Sequence, residues 1–151
     1  MRDDDILTPP EREALRDAIL GTASDAIIYA DRGGLIRFWN PGAERMFGHT
    51  RAEAIGSSLD IIIPLPQRAR HWEGFERVMA GGETRYGHGD ILAVPGLRKD
   101  GSRISLEFTI VPLHDKSGDL QGIVAILRDV TARFEEMRAL RRRLTHPTDT
   151  A

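Results

Sequence analysis

Between positions 104 and 110, Ile104, Leu106, Phe108 and Ile110 alternate with Ser105, Glu107 and Thr109. A two-residue period of this kind predicts a strand with one buried face and one wetter face. Strand-like runs extend around it, over 86–97, 103–113 and 120–129. Lys99-Asp100-Gly101 and Asp115-Lys116-Ser117-Gly118 supply the turns between them. Near the start, AIIYA (26–30) and LIRFW (35–39) flank Asp31-Arg32-Gly33-Gly34, the chemistry of a hairpin.

The remaining elements have a helical period. Thr8-Pro9-Pro10-Glu11 reads as a capping box with proline at the first helical position; Leu15, Ala18 and Ile19 share a face before Gly21 stops the helix. Asn40 caps a short helix whose Ala43, Met46 and Phe47 point inward, and Gly48 ends it. Thr50 caps another that runs through Ile55 and stops at Gly56. Residues 57–66 are expected to be irregular, because their prolines oppose a longer helix. A helix over 67–80 follows, ended by Gly81-Gly82. After Asp129, Val130, Phe134, Met137 and Leu144 fall at coiled-coil steps if Arg141 is accepted at a core position. Two strands, a helical crossing and three antiparallel strands make an α+β domain, one antiparallel sheet with helices on one side. The space between sheet and crossing helices is the natural ligand site.

Composition narrows the functions open to this chain. At 151 residues, 40% hydrophobic and 29% charged, it has the length of one globular domain. A net charge of -2 gives no reason to expect a nucleic-acid partner; the basic Arg141-Arg142-Arg143 run suits a helix C-terminus. Zero cysteines rule out disulfides, thiolate metal sites and covalent thiol attachment of a chromophore. The acidic start is unlike a signal peptide, and no apolar run has membrane-spanning length, so a cytoplasmic location is expected. No nucleophile–base–orienter set and no phosphate loop is present, so no enzymatic activity is expected.

The chain resembles a PAS domain of the S-box type over roughly residues 22–134. The resemblance rests on Asn40-Pro41 with Ala43-Glu44, on Lys99-Asp100-Gly101-Ser102, and on Arg128-Asp129-Val130-Thr131 taken together. It implies a five-stranded antiparallel sheet with short helices on one face, a flanking helix over 1–21, the sensor domain over 22–130, and a signalling helix and tail over 131–151. It also implies a ligand cavity, a homodimer formed through the flanking helices, and a downstream signalling partner. In that family the D-V-T element joins the last strand to the output helix, so Asp129 and Thr131 would be the hinge.

Cofactor chemistry centres on His71, which heads a stripe with Phe75, Val78 and Met79 at i+4, i+7 and i+8. The segment is similar to heme-binding PAS domains of oxygen-sensing kinases and phosphodiesterases. This implies heme b with His71 as its metal ligand and Arg77 near a propionate, sensing a gas or a redox change. Ile61, Ile62, Ile63, Leu65, Phe75, Val78, Met79, Ile110 and Ile126 are candidates for the apolar slot, and Arg68 and Arg70 for further charge. Where that family places a distal arginine, this chain reads Gly89-Asp90-Ile91-Leu92-Ala93, with His88 nearby. The plainer alternative makes His71 a boundary residue donating to a backbone carbonyl, with Trp72 and Phe75 as the core contacts. The protein is then a heme-free dimerisation module that binds an apolar metabolite or nothing. Noncovalent flavin is less favoured, since its amide partners are limited to Asn40, Gln67 and Gln121. His49, His114 and His146 read as solvated.

Overall fold

The computed structural model describes residues 6–81 and 92–145. Ten regular elements run in the order α1 (Pro9–Leu20), β1 (Ala26–Asp31), β2 (Ile36–Trp39), α2 (Pro41–Phe47), α3 (Arg51–Ala54), α4 (Leu65–Met79), β3 (Leu92–Leu97), β4 (Arg103–His114), β5 (Leu120–Asp129) and α5 (Thr131–Thr145), with a 3-10 turn at Leu59–Ile62 before α4. The strands form one five-stranded sheet in the order β2-β1-β5-β4-β3, every neighbouring pair antiparallel. The first and last strands therefore lie at the centre, with Ala26 opposite Leu127 and Asp31 opposite Gly122.

Register fixes which side chains share a face. Phe108 opposes Leu127 and Ile110 opposes Ala125, while Ala26, Ile28 and Ala30 oppose Leu127, Ala125 and Ile123. These residues make the inner face, and α2, α3, the 3-10 turn and α4 cover it with Ala43, Met46, Phe47, Ala54, Leu59, Ile62 and Phe75. Trp39 and Phe47 meet at 5.7 Å between ring centroids in the middle of this core.

Asn40 locks the hairpin to α2. Buried at 1% exposure, its Oδ1 accepts from the Ile27 N–H at 2.8 Å and the Ala43 N–H at 2.9 Å. Its Nδ2 donates to the carbonyls of Thr22 and Asp25. One carboxamide thus serves as helix cap and as strand anchor. Gly42, just inside α2, lies so close to the Asp25 carbonyl that an added Cβ would come within 1.9 Å of it.

Three boundaries differ from the sequence reading. The connector 57–66 is partly ordered: Ser58 caps the 3-10 turn through the Asp60 N–H. Helix α4 begins at Leu65 instead of 67, because Pro66 occupies the first turn, where a missing N–H breaks no helical bond. Of the strand expected over 86–97, the part from Leu92 is present as β3; positions 86–91, His88 and Tyr86 among them, lie outside the described residues. The capping boxes Thr8–Glu11 and Thr50–Glu53 are both closed reciprocally.

Candidate functional site

The 3-10 turn and α4 build a polar seam into an otherwise apolar wall. Arg68 Nε donates to the Ile63 carbonyl at 2.9 Å, and its Nη2 reaches the Asp60 carbonyl at 3.3 Å, tying the first turn of α4 to the segment before it. Trp72 Nε1 donates to Asp60 Oδ1 at 2.7 Å. His71 sits half-buried beside these groups, its ring 4.8 Å from Trp72 and 6.1 Å from Phe75 between centroids.

His71 Nδ1 is buried and has no hydrogen-bond partner among the described residues. Burial lowers its pKa against a smaller opposing pull from the Asp60 carboxylate, which favours the neutral, ligand-competent imidazole. One turn earlier on the same helix, Gln67 Oε1 is likewise buried without a partner. Buried polar atoms are normally satisfied, and these two stand at i and i+4 on one helix without a partner among the described residues. Gln67 carried no sign of this in the sequence beyond its spacing from His71.

Apolar side chains flank the seam. Trp72, Val78 and Met79 on α4, Ile61, and Phe108 and Ile110 on the inner face of β4 are packed against the core yet only partly buried. Among the described residues α4 makes little close backbone contact with any strand, reaching the sheet through its side chains. Of the expected slot residues, Leu65, in the first turn of α4, is 73% exposed, whereas Ile61, Phe75, Val78, Met79 and Ile110 share this wall with His71. Ile126 does not: it opposes Thr109 and Ile27, which places it on the outer face, one residue out of phase with Ile110. Arg77 also departs from expectation. It lies exposed on the far side of α4, 3.8 Å from Glu73 in an i,i+4 pair, because six helical steps from His71 turn it away from the stripe. Arg68 is committed to the carbonyls already named.

The Asp129–Thr131 element is a knot of hydrogen bonds. Thr131 Oγ1 accepts from the Ser105 N–H at 3.0 Å and donates to Asp129 Oδ1, which also accepts from the Thr131 N–H. Asp129 Oδ2 pairs with Arg98 Nη2 at 3.0 Å. Partial burial opposes ionisation of Asp129, but the Thr131 and Arg98 contacts outweigh it and lower its pKa. The start of α5 is thereby bound to the ends of β3 and β4. Beside it, a cleft of about 590 Å³ is lined by Ser24, Asp25, Arg45, Arg128, Asp129, Thr131, Ala132 and Glu135. No group of three or more His, Cys, Asp or Glu that would hold a metal occurs among the described residues, and no described helix is long and apolar enough to cross a membrane.

Comparison with known proteins agrees with this architecture. Residues 20–135 match the family described as PAS fold. The sensor protein FixL of Bradyrhizobium diazoefficiens is 33% identical over 140 residues, 85% of this chain and 26% of that protein. The oxygen sensor protein DosP of Escherichia coli is 30% identical over 107 residues, 71% of this chain and 12% of that protein. The chain thus spans about a quarter or less of these relatives. The crystal structure of a PAS domain from Colwellia psychrerythraea superposes with a TM-score of 0.66 at 26% identity, covering 80% of this chain and 98% of that one. The buried Asn40 clasp, the five-stranded order and these matches agree: the chain belongs to the PAS-fold family and is a sensory signal-transduction domain.

Proposed function

We propose that this domain is a cytoplasmic heme-based sensor of a gas or of redox state, with His71 as the proximal ligand, and that it signals as a homodimer to a downstream domain or protein. The observation that carries the reading is the half-buried His71 imidazole on an apolar wall, held toward its neutral form by burial. Heme requires a neutral imidazole, an apolar slot and cations near its edge. His71 would hold the iron, and Phe75, Met79 and Ile110 would face the macrocycle. Arg70, exposed on α4, is the cation left for a propionate once Arg68 and Arg77 are accounted for. The half-buried His71 supports the ligand, and the partly buried Met79 and Ile110 support the apolar wall. Heme when bound supplies a redox-active iron with a site for a diatomic ligand. The protein's part is to hold the imidazole neutral, exclude water and pass strain toward β4 and β5. Similarity to an oxygen sensor protein supports the same reading.

Signalling would be a shift between two populations: occupancy of the wall changes how β4 and β5 present Asp129-Val130-Thr131, and α5 follows. Exposed apolar residues support dimerisation, with Leu15 and Ile19 on α1 at 48% and 55% exposure and Met137, Leu140 and Leu144 on α5 at 47%, 51% and 83%.

A heme-free reading has its own support: the Trp72 and Phe75 rings already flank His71, so a small apolar metabolite would be enough to complete the wall. Flavin has less, because all the hydrogen-bonding groups of the Asn40 carboxamide are engaged. Hemin titration separates the two main readings. A sharp Soret band that His71→Ala abolishes and His114→Ala, at an exposed histidine, retains is the expected result. Identical spectra for wild type and His71→Ala would leave the heme-free module.

A further inference from the structure

Helix α4 sets Gln67, His71 and Phe75 in a single row, one turn apart at i, i+4 and i+8. Side chains on a helix lean toward its N-terminus, so the His71 imidazole reaches back over the turn that carries Gln67. Both side chains are half-buried, and Phe75 closes the row at 7% exposure.

The two polar groups in that row are complementary. Gln67 Oε1 is a buried acceptor and His71 Nδ1 a buried ring nitrogen, and neither has a partner among the described residues. The polar groups around them are already engaged. Arg68 donates to the carbonyls of Ile63 and Asp60, and Asp60 Oδ1 accepts from Trp72 Nε1. The Asp60 carboxylate is the rival acceptor, and it acts on the His71 ring by charge.

A neutral imidazole carries one N–H, and the nitrogen that donates leaves the other with a lone pair. The acceptor on Gln67 and the ring nitrogen on His71 satisfy each other when the proton sits on Nδ1. The terminal torsion of a glutamine is soft, so Oε1 can turn to that proton without displacement of the helix.

We propose that Gln67 is a positioning residue for His71: its Oε1 accepts the Nδ1 proton, steadies the ring and leaves the Nε2 lone pair free to ligate. The inference rests on the ligand role of His71 proposed above and adds what orients the imidazole. An amide is a neutral acceptor, so it fixes the tautomer without the added basicity that a carboxylate partner confers on a ligating histidine.

Nitrogen NMR of the labelled full chain, without hemin and at a pH where the imidazole is neutral, reads the tautomer directly. Wild type is expected to hold His71 almost wholly as the Nδ1–H form. Gln67→Leu should shift the ratio several-fold toward Nε2–H, and Gln67→Glu, which keeps the acceptor, should retain Nδ1–H. Urea midpoints establish that each variant is folded. An Nε2–H wild type, or a ratio indifferent to Gln67→Leu, overturns the proposal, as does a ratio that follows Asp60→Asn instead. A Soret band that depends on His71 beside a tautomer indifferent to Gln67 removes this contact and leaves the heme reading standing. The expected tautomer shifts without any Soret band from added hemin keep the contact and remove the heme reading.

Discussion

The Trp72 ring occupies the space above Gly34 so closely that a Cβ there would lie 2.3 Å from two of its carbons. Gly34 also has φ +79°, a left-handed conformation that other residues adopt at a cost. The β1–β2 turn is thus shaped around the indole that Asp60 holds from the other side. Gly34→Ala should cost about 2–4 kcal/mol, combining the backbone penalty with overpacking. It should also perturb Trp72 fluorescence. A urea midpoint within error of wild type would show that the indole is free to move aside.

His71 makes stability depend on pH in a definite direction. Its folded pKa lies below the ordinary imidazole value of about 6.5, so as pH falls the unfolded chain takes up this proton first. Between that value and the lower folded one, the unfolded state binds more protons and stability declines with falling pH. His71→Gln should flatten this part of the profile when urea midpoints at pH 7.5 and 5.5 are compared. A variant as pH-dependent as wild type would assign the slope to other groups.

Removing the Asn40 carboxamide leaves the Ile27 and Ala43 amide donors without partners in the core. Asn40→Ala is therefore expected to destabilise the domain by about 2–4 kcal/mol. Asn40→Asp, which keeps the acceptor, should recover part of the loss. Equal losses in both variants would mean that the Nδ2 bonds to Thr22 and Asp25 carry the clasp.

At the base of α5, Thr131→Val keeps the shape of the side chain but loses the acceptor for the Ser105 N–H. The global cost should be about 1–2 kcal/mol. The sharper signature is faster amide exchange at Ser105 and in the first turn of α5, with little change in β1. Uniform acceleration across the sheet would indicate general loosening instead of release of the helix.

Much of the architecture could be read from local pattern. Asn40 and Thr8 announced themselves as caps, and β4 showed its two faces through strict alternation. The errors at the site have separate physical causes. The run Ile123-Val124-Ala125-Ile126-Leu127 has no alternation, so its faces are set by register with β1 and β4, and Ile126 went to the wrong side. For Arg77 the family likeness conflicts with the helical period, six steps from His71, which turns it away from the stripe. Gln67 enters the sequence reading only as an amide, because a lone glutamine at a helix start gives no warning of burial. The 3-10 turn depends on the Ser58 cap, a bond to Asp60 hidden inside an apolar, proline-rich stretch.

Because Ala26 and Leu127 are direct neighbours at the centre of the sheet, the polypeptide comes in and goes out through one doorway. A unit built this way can be spliced between other modules across a short gap, since its two attachment points are already side by side. A pull on either attachment is then felt at once by the other, with no need to cross the body of the domain.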